Sequence, residues 1–126
     1  MIWTISQIAV GGALGAVSRY LAGIALLRFW TSDFFYATLF VNVSGSLLIG
    51  FAYVMLGCLE GEPGKFAPML ITGFLGGYTT FSAFSLDFWI MFQQGRIAES
   101  LIYAVSSAVF SILAIFIGMA VAKQFS

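Results

Sequence analysis

The chain has 126 residues, of which 61% are hydrophobic and 8% charged, with five basic and five acidic side chains and no histidine. This composition, with a mean hydropathy of +1.04, excludes a soluble globular domain and indicates an integral membrane protein. With one cysteine, Cys58, and no histidine, the chain offers no soft-metal ligand set and no catalytic group of nucleophile, base and orienting residue, so we predict that it is not an enzyme.

Four long apolar stretches divide the chain, and each is long enough to cross about 30 Å of hydrocarbon as a helix. The sequence therefore predicts an all-α integral membrane protein with one four-helix transmembrane domain covering 1–126. The predicted spans are roughly 3–28, 34–58, 65–93 and 97–123. Such a protein crosses the membrane several times and leaves no residues for a soluble domain.

The basic residues of the predicted loops are balanced across the membrane. With four alternating spans, Arg28 and Arg96 lie on one side, and Lys65 and Lys123 lie on the other. Because an excess of Lys and Arg in short loops sets the orientation of a membrane protein, this chain carries no instruction for one direction. We expect insertion in both orientations and an antiparallel, dual-topology homodimer. The alternative is that a weak bias and the first span decide the orientation.

The first predicted span carries a small-residue pair and a buried base. Gly11 and Gly15 are four residues apart, which lets another helix approach closely. Arg19 follows within the same apolar stretch, where an unpaired guanidinium is costly. Its role is either structural, in which it snorkels to the interface or caps a helix end, or functional, as a fixed positive charge at a water-filled vestibule that attracts anions.

The second predicted span places two polar side chains on one face. Thr38 and Asn42 are four residues apart, so a helix brings them together. An amide in an apolar span needs a partner, because an unpaired polar group in lipid costs several kcal/mol. Asn42 therefore either joins two helices or lines a wet path.

The third predicted span contains a stretch, Gly73–Ser85, that is unfavourable for a continuous helix. Its glycines give the backbone freedom and its threonines form local hydrogen bonds, so we expect the helical hydrogen bonds to fail near 75–79 and the third helix to be broken at mid-membrane. Such a break is tolerated only where protein or water supplies new partners. It therefore indicates an ion or substrate site.

Neutral polar side chains on three spans predict a polar path beside two phenylalanines. Phe81 and Phe84 are three residues apart just after the expected break; they present positive ring edges to an anion or simply pack. Asp87 is either a rim carboxylate paired with a base or part of an aqueous vestibule. The polar candidates are Thr38, Asn42, Ser82, Ser85, Tyr103, Ser107 and Ser111.

Three motifs resemble those of the Fluc (CrcB) fluoride channel family of microbial membranes, and the resemblance extends over all four spans. They are Gly76-Gly-Tyr-Thr-Thr-Phe-Ser-Ala-Phe-Ser85, Gly11-Gly-Ala-Leu-Gly15 with Arg19-Tyr20, and Thr38-Leu-Phe-Val-Asn42 with Gly45. The resemblance implies passive, fluoride-selective conduction that exports fluoride across the bacterial inner (plasma) membrane and relieves its toxicity. It also implies two pores in each dual-topology homodimer.

The resemblance further implies individual residue roles. Arg19 matches the vestibule arginine, and the backbone carbonyls of Gly76 and Thr79 match those that hold a structural sodium ion (Na⁺) at the dimer interface. Two positions depart from the family pattern: Ala83 replaces a frequent hydroxyl residue, and Tyr78 replaces a common leucine beside the sodium site. The residues that match the fluoride pore are Asn42, Phe81, Phe84, Thr38, Ser85, Tyr103, Ser107 and Ser111.

Two other functions remain as alternatives. A small dual-topology, proton-coupled multidrug exporter would need a membrane-embedded carboxylate to exchange protons for cations, whereas the first span offers Arg19. A non-transporting assembly protein would use its small residues only to bring helices together, and it predicts no ion flux.

Overall fold

The structure is a computed structural model of the single chain and describes residues 1–30, 32–58 and 63–126. Within these ranges every regular element is helical, which confirms the all-α prediction. The elements are α1 (Ile2–Phe29), α2 (Phe34–Cys58), a 3₁₀ turn (Pro63–Lys65), a π-helix (Pro68–Leu75), α3 (Gly76–Tyr78), α4 (Ser82–Gln93) and α5 (Ile97–Lys123).

Four helical stretches of the described chain are long and apolar enough to cross a membrane: Ile2–Phe29, Phe34–Cys58, Pro68–Gln93 and Ile97–Lys123. The third is composite, because it consists of the π-helix, α3 and α4 in succession. Large apolar side chains remain exposed along all four, as hydrocarbon-facing surfaces require. The prediction of four membrane-spanning helices is thereby confirmed at the level of length and composition.

Close glycine contacts organise the packing of these helices. α5 packs along α2, and α1 packs along the π-helix and α3. A Cβ atom on Gly118 of α5 would collide with the Leu47 carbonyl of α2, and one on Gly15 of α1 would collide with the Phe74 carbonyl. Because Gly11 meets the backbone of the π-helix in the same way, the predicted small-residue contact is confirmed.

The third stretch contains a turn of extended backbone. The helical run ends at Tyr78, Thr79 has φ −88° and ψ 159°, and α4 begins at Ser82. The Thr79 N–H still donates to the Leu75 carbonyl at 3.0 Å, whereas the Thr80 N–H donates to a side chain. The helical hydrogen bonds therefore stop at Thr79, the last residue of the predicted range 75–79. We call Thr79–Phe81 the junction.

One end of the bundle is closed by a charged and aromatic cluster. Arg96 precedes α5, pairs with Asp33 and Glu99, and lies 5.5 Å from the centroid of the Phe35 ring. Its hydrogen bond with Glu99 raises the pKa of Arg96 above the ordinary value, so the guanidinium stays protonated beside the two carboxylates. The Phe35 ring also packs against Tyr103, with ring centroids 5.3 Å apart.

The glycine contact between α2 and α5 can be tested with Gly118→Ala. Overpacking against backbone costs about 1–3 kcal/mol, which exceeds the roughly 1 kcal/mol that alanine gains over glycine inside a helix. We expect a lower thermal unfolding midpoint for the purified protein in detergent. Gly23→Ala is the control, since a Cβ there meets no atom within 4 Å, and its midpoint should be equal or higher. Equal midpoints for the two variants would contradict the close contact.

Candidate functional site

The backbone of the junction pairs with the side chain of Asn42 on α2. The Thr80 N–H donates to Asn42 Oδ1 at 2.8 Å, and Asn42 Nδ2 donates to the Thr80 carbonyl at 2.9 Å. One residue outside the helical ladder thus regains both of its backbone hydrogen bonds. Since an amide NH₂ has two hydrogens, one Asn42 N–H remains for another acceptor.

Other side chains support the two helix ends that meet at the junction. Arg19 Nε donates to the Gly77 carbonyl at 3.2 Å, which puts a positive charge at the carbonyl end of α3. Thr80 Oγ1 accepts the Ala83 N–H at 3.1 Å and so caps the start of α4. Of the two interpretations of Arg19, the structure shows the helix-end contact, with the guanidinium half-buried beside the junction.

The carbonyls of Gly76 and Thr79 lose the donors that a continuous α-helix would give them. The Gly76 carbonyl would accept from the Thr80 N–H, and the Thr79 carbonyl from the Ala83 N–H. Both N–H groups donate to side chains instead. Oxygen atoms released in this way are the ligands that unwound membrane helices offer to sodium, so the donor chemistry fits a hard monovalent cation.

A cavity of about 460 Å³ lies between α2, the junction, α4 and α5. Its wall also contains Ser46 and Thr80, which the predicted pore set omits. The signal for Ser46 was present, because it lies four residues after Asn42 on the same helix. The predicted pore residues that meet in this wall are Asn42, Phe81, Phe84, Ser107 and Ser111.

Ser107 lies in the wall of this cavity and has a buried hydroxyl. The residue is 7% exposed, and its Oγ has no hydrogen-bond partner among the described parts of the chain. A buried hydroxyl without a partner is costly, so native structures rarely leave one unless a ligand or water pairs with it. Its position is consistent with a binding site for a small polar guest.

The two phenylalanines line the cavity in different environments. Their ring centroids are 5.5 Å apart with an interplanar angle of 50°, a tilted aromatic pair. Phe84 packs against Tyr103 at 5.0 Å, whereas Phe81 is 79% exposed in the single chain. At Phe81, therefore, the described part of the chain covers little of the cavity wall.

A second polar group lies beyond Phe84 and outside the cavity wall. Tyr103 Oη donates to Asp87 Oδ2 at 3.0 Å, and the Thr38 hydroxyl lies beside both side chains. Asp87 is 8% exposed, and within 1–30, 32–58 and 63–126 it forms no ion pair, so the predicted pairing with a base is not found.

The serines at the start of α4 bond locally. Ser85 is exposed and its Oγ donates to the Phe81 carbonyl at 3.0 Å, and Ser82 Oγ lies 3.3 Å from Thr80 Oγ1. The structure thus brings five of the eight predicted pore residues to one cavity. Thr38 and Tyr103 lie together behind Phe84, and Ser85 lies on another face of α4.

Replacing Asn42 by alanine tests its role at the junction. The Thr80 N–H and carbonyl would both lose their partner, and each buried unpaired group costs about 1–3 kcal/mol. We expect a clear drop in the thermal unfolding midpoint. Ser46→Ala is the matched control because it changes a polar residue one turn further along the same cavity wall. An equal drop in both variants would argue against a specific role of the amide.

A double-mutant cycle tests the Tyr103–Asp87 contact. Tyr103→Phe leaves the buried carboxylate with one donor fewer, so we expect a stability loss of about 1–3 kcal/mol. Asp87→Leu removes the acceptor as well, and the double variant should lose less than the sum of the single losses. Thermal or denaturant unfolding in detergent measures all four proteins; strict additivity would contradict the contact.

Comparison with known proteins gives matches over nearly the whole chain. The family model described as CrcB-like protein, Camphor Resistance (CrcB), matches residues 6–119. A relative from Rhizobium meliloti is 46% identical over 94% of this chain and 95% of its own length. A relative from Nitrobacter winogradskyi is 40% identical over 98% of each chain. A relative from Paracoccus denitrificans is 42% identical over 95% of this chain and 94% of its own length.

Each of these three relatives is named a fluoride-specific ion channel, FluC. Because the family is one of channels, the prediction that the chain is not an enzyme is confirmed. The bacterial relatives and the four membrane-capable helices confirm a multi-pass protein of the bacterial plasma membrane. The chain belongs to the CrcB-like family, as its motifs predicted.

Proposed function

We propose that this chain forms a channel that conducts fluoride passively and selectively out of the cell. The carrying observation is the cavity whose wall brings together Ser107, with its buried hydroxyl, Asn42 and the two phenylalanine rings. Its support is the 46% identity to a relative named as a fluoride-specific ion channel. In a cell that accumulates fluoride through entry of neutral HF, such a path lets the trapped anion leave.

The chemistry of the cavity wall suits a small anion. A selective channel must replace the hydration shell with fixed partners, and conduction requires that no single site bind too strongly. The Ser107 hydroxyl, the remaining Asn42 N–H and the ring edges of Phe81 and Phe84 all present partial positive charge and no full charge. Arg19 adds a positive charge nearby that raises the local anion concentration.

An antiparallel, dual-topology homodimer with two pores completes this proposal. Its first support is the balance of basic residues between the two loop sets, which gives no preferred orientation. Its second is Phe81, which is 79% exposed although it lines the cavity, so a second copy is the natural cover. The junction then serves as the mid-membrane break of the third helix.

We further propose that a structural sodium ion binds the Gly76 and Thr79 carbonyls of both subunits. The support is the diversion of their helical donors to Asn42 and Thr80. A bound cation would satisfy carbonyl oxygens that lipid cannot, and it would add positive potential near both pores. The ion would stay in place during conduction.

The exporter alternative gains one observation, the buried carboxylate of Asp87. This carboxylate accepts a hydrogen bond from Tyr103 and is not part of the cavity wall. A cation moving through the cavity would therefore not contact it. The cavity itself presents hydroxyl, amide and aromatic groups. The fluoride channel therefore accounts for more of the site than proton-coupled export does.

Fluoride efflux from liposomes tests the channel directly. Purified protein is reconstituted in vesicles loaded with fluoride, and a fluoride electrode records release with chloride as the competing anion. Phe81→Ile with Phe84→Ile should abolish release, because the replacement keeps apolar bulk but removes the ring edges. Phe110→Ile with Phe116→Ile is the matched control, since both rings are exposed on α5.

The control double variant should release fluoride at the unmodified rate. Undiminished release by the Phe81/Phe84 variant would overturn the ring-edge mechanism, and release of chloride as fast as fluoride would overturn selectivity. Export of a cationic dye driven by a proton gradient, and abolished by Asp87→Asn, would establish the exporter instead.

A further inference from the structure

Tyr78, the last residue of α3, is held against α2 through its hydroxyl group. Tyr78 Oη lies 2.9 Å from Ser44 Oγ. The Ser44 hydroxyl itself donates to the Phe40 carbonyl at 2.7 Å, so its single hydrogen is in use. Tyr78 is therefore the donor in the contact, which ties the end of α3 to α2.

The tyrosine ring is fixed on two further sides. It stacks on Phe74 of the π-helix, with centroids 6.2 Å apart and planes inclined by 6°. It also lies on the bare backbone of α2 at Gly45, where an added Cβ would come within 3.2 Å of Tyr78 Cδ1 and would collide with Thr79 Cγ2. Glycine at this position lets both Tyr78 and Thr79 lie directly on α2.

The Tyr78–Ser44 contact lies next to the carbonyls proposed to bind sodium, because of the position of Tyr78 in the chain. This residue stands between Gly76 and Thr79, two residues whose carbonyls lose their helical donors. Neither Tyr78 nor Ser44 is part of the cavity wall. A contact that anchors Tyr78 to α2 restrains the short segment from Gly76 to Thr79, and with it the two carbonyls, without touching the path of the anion.

We propose that Tyr78 is a positioning residue for the cation site, acting through its hydrogen bond to Ser44. This inference rests on the sodium site proposed above. The bond holds the Gly76 and Thr79 carbonyls in the arrangement that binds the ion. Because they are already ordered, less conformational entropy is lost when the ion binds. Loss of the hydroxyl leaves the ring packing in place and loosens the ligands.

Sodium titration of thermal stability provides the test, since an ion that binds only the folded state raises the unfolding midpoint by mass action. The purified protein is heated in detergent at increasing sodium and constant ionic strength, with N-methylglucamine as the replacement cation and no fluoride present. The variants are Tyr78→Phe, Ser44→Ala and the double variant. Tyr53→Phe is the matched control, because Tyr53 is an exposed tyrosine on α2.

We expect Tyr78→Phe and Ser44→Ala each to raise the sodium concentration for half-maximal stabilisation about two- to tenfold, the factor corresponding to one hydrogen bond. The double variant should shift no further than either single variant, since both remove the same bond. Tyr53→Phe should leave the sodium concentration unchanged. If Tyr78→Phe does not yield folded protein, Ser44→Ala carries the test.

Three outcomes would overturn the inference, and they separate it from the proposed function. A purely structural role would lower the midpoint equally at every sodium concentration and leave half-maximal stabilisation where it was. Additive shifts in the double variant would show that the two residues act independently. An unmodified protein that responds to sodium no better than to potassium would remove the sodium site itself, while fluoride efflux would still decide the channel.

Discussion

Backbone amides and carbonyls in hydrocarbon must form their hydrogen bonds within the protein. The packing of α1 and α2 around Thr79–Phe81 meets this requirement, and the other features of the site depend on it. A continuous helix would satisfy the requirement internally. Here the chain leaves the helix for three residues, and α1 and α2 supply what the ladder no longer provides. Asn42 serves both backbone groups of Thr80, while Arg19 serves the carbonyl of Gly77. The interrupted backbone is thereby paired on two sides.

These side chains reach the backbone because glycines remove the bulk between the elements. Gly15 brings α1 against Phe74, and Gly77 lies so close to α1 that a Cβ would meet the Gly12 carbonyl at 2.6 Å. Gly45 does the same for α2 at Tyr78 and Thr79. The stability of the interruption depends on the close approach of the helices, because a wider separation would leave the polar groups of the junction without partners.

The sequence predicted the helices better than the contacts between them. Long apolar stretches give the spans from composition, because a helix in lipid needs about 20 such residues. The π-helix Pro68–Leu75 escaped prediction, since a change from i→i+4 to i→i+5 hydrogen bonding leaves apolar composition unaltered. Spacing predicted shared faces only within one helix, as for Ser107 with Ser111, and the family resemblance assigned Asn42 and Phe84 to the same pore. The local bond of Ser85 and the Tyr103–Asp87 pair depend on rotamers and helix rotation that no spacing reveals.

The reciprocal bonding of Asn42 with Thr80 also fixes the orientation of one amide in the cavity wall. An amide side chain is ambivalent, because its oxygen attracts cations and its nitrogen attracts anions. Here the oxygen accepts the Thr80 N–H, and the nitrogen donates to the Thr80 carbonyl. A half-turn of the amide would place oxygen against oxygen and N–H against N–H. The backbone interruption therefore prevents the two ends of this side chain from exchanging places.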